Sequence, residues 1–164
     1  MLTPLLIFAA LIDVAIALLH VYVIVKGPFA YRRFGAGEKI ATMAEQGSPF
    51  PALLTSGITL AFVVFAAYYL AAAGWLPVPP YLLAGLAVIA LVFVTRAVLI
   101  VPAALAGRKL TAFDRHTAAI AIAIGLIHGA AALLYASHVC GGAPASASAA
   151  CQYMARATPP ATAP

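Results

Sequence analysis

Charge is scarce in this chain. Its 164 residues include four Asp or Glu and nine Lys or Arg, so 8% are charged against 65% hydrophobic. A soluble domain is about 25% charged and about 45–50% apolar, and this balance excludes an ordinary water-soluble globule. The two cysteines exclude a disulfide-dense secreted scaffold and a four-thiolate zinc centre. No Gly-rich phosphate loop, no Ser/His/Asp constellation with access to water and no metal-spaced carboxylate cluster is present. No catalytic residue, metal or cofactor is therefore expected. The cations are dispersed and build no clustered patch on a soluble face, which argues against a nucleic-acid partner. Alternating strand patterns are absent as well, which excludes a membrane barrel.

The chain instead carries four long apolar blocks, roughly Pro4 to Val25, Ala52 to Ala73, Tyr81 to Leu105 and Thr117 to Ser137. Each is near the ~20 residues that a helix needs to cross ~30 Å of hydrocarbon. Apart from Asp13 and Arg96 the blocks contain no acid, Lys or Arg, and a helix satisfies its own backbone groups in lipid. The expectation is an all-α, four-helix transmembrane bundle over residues 1–139, followed by a flexible Ala/Ser/Pro-rich tail over 140–164. The first block has no basic region before it and exceeds the ~7–15 apolar residues of a signal peptide, so it reads as a retained span. No internal repeat stands out to mark an inverted-repeat transporter.

Loop one carries Lys26, Arg32, Arg33 and Lys39, and loop three carries Arg108, Lys109 and Arg115, while the N-terminus and Gly74 to Pro80 carry no Lys or Arg. The positive-inside rule then puts loops one and three in the cytoplasm and both termini outside, in an inner membrane. Aromatic rings mark both interfaces: Tyr22, Phe29, Tyr31 and Phe34 at loop one, and Tyr68, Tyr69, Trp75 and Tyr81 at loop two. Glu38 to Gln46 has Ile40, Met43 and Ala44 at helical spacing, which fits either an interfacial helix or an ordinary connecting one. Cys140 and Cys151 both fall on the oxidising side, and a disulfide between them is the expectation. Metal binding by these thiols with His138 is the other reading, but the spacing fits no standard zinc pattern.

Ionisable groups at bilayer depth cost about 2.5–3.5 kcal/mol each on insertion scales, which singles out Asp13, His20, Arg96 and His128. At ~1.5 Å per residue Asp13 and His128 lie roughly 14 Å from the outer edge, and His20 and Arg96 roughly 22–24 Å. Asp13, Ala17 and His20 share one face of the first helix, which must look inward. His128 lies in Gly125-Leu-Ile-His-Gly129, a small-xxx-small pattern that permits close helix approach, and Tyr135 follows at seven residues. One reading makes these residues mutual partners, Asp13 with His128 and His20 near Arg96, that set helix register. Another makes them a proton path or small polar cavity, since imidazole takes up and releases protons near neutral pH. Haem ligation by His20 and His128 is disfavoured by their roughly 10 Å difference in depth. His116 and His138 sit at membrane edges, where an imidazole is solvated.

Ala17-Leu-Leu-His20-Val-Tyr22, Thr95-Arg96-Ala97 and Leu110-Thr-Ala-Phe-Asp114-Arg115 together resemble an uncharacterised family of small bacterial four-helix membrane proteins. That resemblance implies the fold and brings no activity. Arg96-Ala-Val-Leu-Ile-Val-Pro102 is similar to a segment of the membrane-associated eicosanoid and glutathione metabolism superfamily. Those enzymes hold glutathione with Arg, Asn and Glu of their second helix, and Ala52 to Ala73 contains none of these. The expected function is a non-enzymatic accessory subunit or small proton-linked carrier. Its partners are the lipid bilayer and either further copies of itself or a larger membrane complex. The alternative is a membrane-embedded enzyme or redox protein acting on a quinone, lipid or thiol conjugate.

Overall fold

The computed structural model of the protein describes residues 2–98 and 112–141, apart from the side chains of 96, 97 and 112–115. The described residues form helices and turns, with no strand among them. The helices among the described residues are α1 (Leu2–Lys26), α2 (Pro28–Arg33), α3 (Glu38–Glu45), α4 (Phe50–Ala72), α5 (Leu82–Val98) and α6 (Ala112–Cys140). Among the described residues three stretches are long and apolar enough to cross a membrane: Leu2–Lys26, Phe50–Ala72 and His116–Cys140. They carry the first, second and fourth apolar blocks. The third block begins on α5, which runs 17 residues, and its remainder at 99–105 lies outside the described residues, as does most of loop three.

Local chemistry sets the helix ends. Pro28 occupies the first turn of α2 and Pro51 that of α4, where N–H groups have no intrahelical partner and proline costs little. Gly27 breaks the run from α1 into α2 with φ +64°, a conformation that glycine adopts without a Cβ penalty. Its N–H donates to the Val23 carbonyl at 3.0 Å and its own carbonyl accepts from Ala30 at 2.9 Å, so one residue closes α1 and opens α2.

The chain divides into two compact units, Leu11–Ala66, and Met1–Ala10 with Ala67–Pro164. In Leu11–Ala66, α2 packs on α3. Val23, Ala30, Tyr31 and Ala41 are buried there, with Ile40 and Ala44 packed against them. The apolar face of α3 is thus turned onto the protein, as a connecting helix requires. The Arg32 guanidinium fastens the same hairpin, donating to Glu38 Oε1 and to Glu45 Oε2 at 2.8 Å each. Tyr31 is 3% exposed and its hydroxyl accepts from Thr55 Oγ1 at 3.4 Å. Expected as a ring at the membrane interface, Tyr31 is a core residue instead, because a phenol that finds a hydroxyl partner buries as readily as it sits among headgroups.

In the other unit α5 packs on α6. Leu82, Leu86, Ile89, Ala90 and Phe93 are buried on α5 at spacings of three and four, the signature of one helical face. They meet a face of α6 on which Gly125, His128, Ala131 and Ala132 are buried. A Cβ at Gly125 would lie 3.4 Å from the Phe93 carbonyl oxygen, whereas one at Gly129 would meet nothing within 4 Å. Of the two glycines flanking His128, Gly125 is thus the one at a helix contact. A Cβ at Gly85 would strike the Tyr68 ring, so glycine is what lets that ring lie against α5.

Candidate functional site

Asp13 has no exposed surface, and both its carboxylate oxygens are buried. The reason is its place on α1: Leu6, Ala9, Ala10, Ala17 and Val23 are buried too, at helical spacing with it. The residues around this stripe are apolar and exposed, among them Phe8, Leu11, Leu18 and Val25, as suits a helix with one protein-facing side in lipid. His20 continues the stripe, half-buried. The inward face expected from the spacing of Asp13, Ala17 and His20 is therefore present.

His20 and His128 are held alike. The Nδ1 of His20 lies 2.8 Å from the Ile16 carbonyl oxygen, and the Nδ1 of His128 lies 2.9 Å from that of Ile124, in each case the residue one helical turn back. A carbonyl only accepts, so Nδ1 carries the proton and the lone pair of the neutral ring lies on Nε2. Each imidazole also has an aromatic neighbour from another helix: Phe62 for His20, with centroids 5.4 Å apart and planes at 32°, and Phe93 for His128, at 4.1 Å and 33°. His128 has a second, Tyr69, edge-on at 5.0 Å and 86°. The Tyr69 hydroxyl donates to the His128 backbone carbonyl at 3.4 Å.

Tyr69 is fully buried, which corrects its expected place in the aromatic belt. Its hydroxyl meets a backbone carbonyl of α6, which hydropathy does not show. Phe62 and Phe93 were likewise missed: each lies inside an apolar block with nothing in its neighbourhood to single it out.

Asp13 and His20 lie in the unit Leu11–Ala66, whereas Arg96, His128 and Tyr135 lie in the other. Arg96 is on α5 with its side chain outside the described residues. Tyr135 is half-buried on α6, about two turns beyond His128. Cys140 ends α6 and is not a free thiol, and Cys151 lies outside the described residues. A buried carboxyl group and two oriented imidazoles are side chains of proton-transfer chemistry. The chain matches no protein-family model, no curated protein and no solved structure.

Proposed function

We propose that this chain is a multi-pass protein of the inner membrane, with loops one and three in the cytoplasm. It acts without catalysis of its own, as a small proton-linked carrier or as an accessory subunit of a larger membrane complex. Asp13, His20, Arg96 and His128 are its working polar residues. The observation that carries this reading is the complete burial of Asp13 on a helix long and apolar enough to span a bilayer. A carboxylate at that depth costs about 2.5–3.5 kcal/mol even on the mildest scales, and such residues mark ion and proton pathways in membrane proteins. The two histidines support it, each held at Nδ1 by the carbonyl one helical turn back. The four-helix arrangement follows the apolar blocks, and the likeness to small bacterial four-helix membrane proteins is part of the same reading.

Asp13→Asn and Asp13→Leu, each purified and reconstituted with a pH-sensitive dye in the vesicle lumen, test it. Asn keeps the shape and most hydrogen bonds while removing the charge. The expected result is a folded Asp13→Asn protein that has lost the pH-dependent proton uptake or partner association of the wild type. An Asp13→Leu protein as stable and as active as wild type would overturn the proposal. Native mass spectrometry from gentle detergent separates the two roles, because a subunit brings its partner and a carrier brings only itself.

A further inference from the structure

The segment around α2 and α3 sorts its charges unevenly. It contains Lys26, Arg32, Arg33, Lys39, Glu38 and Glu45, and both acids close on one guanidinium, that of Arg32. Lys26, Arg33 and Lys39 remain, all exposed, with no acid left in the segment to neutralise them. The apolar side chains divide in the same way. Tyr31, Ala30, Ala41 and Val23 make the interior, whereas Phe29 and Phe34 stand 68% and 45% exposed. Some of these outward residues meet. Lys26 Nζ is 6.0 Å from the Tyr22 ring centroid, and Tyr22 meets Phe34 edge-on at 6.1 Å. Phe29 and Arg33 stand four apart on α2 and so share a face.

In water an exposed phenyl ring is unfavourable, whereas the cations beside it are simply solvated. At the surface of an anionic bilayer the cations meet phosphates and the rings enter the boundary between headgroup and acyl chain. We propose that the α2–α3 hairpin is a recognition surface for anionic phospholipid. Lys26, Arg33 and Lys39 bind the phosphate headgroups, Phe29 and Phe34 seat among them, and Arg32 holds the hairpin together without touching lipid. The proposal rests on the membrane reading above, but not on which loops face the cytoplasm.

The test uses the full chain in lipid nanodiscs of phosphatidylcholine mixed with phosphatidylglycerol, with both leaflets open to the protein. Lipids retained after extraction into detergent are counted by native mass spectrometry. Wild type should keep phosphatidylglycerol over phosphatidylcholine, and the preference should fall by about fivefold for each cation removed. The Lys26→Gln/Arg33→Gln/Lys39→Gln variant should lose it altogether. Lys39→Gln alone, at an exposed site outside the hairpin's core, should lose about fivefold, which keeps the test decisive if the triple variant fails to fold. Equal preference in wild type and variants would overturn the proposal while leaving the membrane reading intact. Displacement of the retained lipid by inorganic phosphate would overturn it too, by assigning the cations to a free anion. Recovery of no protein in any disc would overturn the membrane reading, and this surface with it.

Discussion

The His128 ring is held from three directions: by the Ile124 carbonyl below it on α6, by the Phe93 face at 4.1 Å and by the Tyr69 edge at 5.0 Å. Truncation to alanine removes all three contacts from a site with no exposed surface. His128→Ala is expected to lower stability by about 2–4 kcal/mol, read by thermal or denaturant unfolding in detergent. His128→Phe should restore most of that packing but no proton-dependent property. Tyr69→Phe keeps the ring and drops one long hydrogen bond, for which about 0.6 kcal/mol is expected, the mean for such bonds in a membrane. A loss as large as that of His128→Ala would mean that the hydroxyl, rather than the ring, holds the contact. At this scale the sequence was legible where the chemistry was anomalous. Asp13 stood out because an acid in an apolar block needs a reason, whereas Tyr69 and Tyr31 did not, since an aromatic near the end of a span looks the same at an interface or inside.

At the scale of elements, the α2–α3 hairpin depends on its charge state. The Arg32 hydrogen bonds hold the Glu38 and Glu45 carboxyls below their ordinary value of 4.5. The same bonds, first to Glu45 and then to Glu38, push the Arg32 guanidinium further up. Lowered acids contribute stability that is present above their unfolded value and lost as pH falls through their folded ones. The hairpin should therefore be ordered at neutral pH and loosen in acid below the ordinary carboxylate range. High salt should weaken the same fastening, because the groups are exposed. Amide-exchange protection over residues 28–45 should fall on acidification in wild type and be low at all pH values in Arg32→Gln. Protection unchanged by acid in wild type would show that Arg32 does not fasten the hairpin. Helical spacing made α3 visible in the sequence, but not its partner, because Arg32 reaches its acids six and thirteen residues away across a turn.

At the scale of the whole molecule, the loop charges and the cysteines predict one topology. A reporter active only outside the cytoplasm should work when fused after Pro164 and fail when fused within loop one; activity in loop one would reverse the assignment. The same orientation predicts a Cys140–Cys151 disulfide, seen as a mass gain of two hydrogens on reduction, and two free thiols in native membranes would dismiss it. The sequence by itself determined the all-helical character, the positions of three long apolar helices and the start of a fourth apolar helix, and the buried face of α1. Those follow from block length, composition and a 3.6-residue period. Only the tertiary structure decided which aromatic rings turn inward, which of the glycines flanking His128 meets a helix, and which cation both acids of loop one take. The reason is that lipid is as apolar as a protein core. Hydrophobicity alone therefore does not separate the inside of such a protein from its surface, and the choice falls to shape and to hydrogen bonds between distant residues.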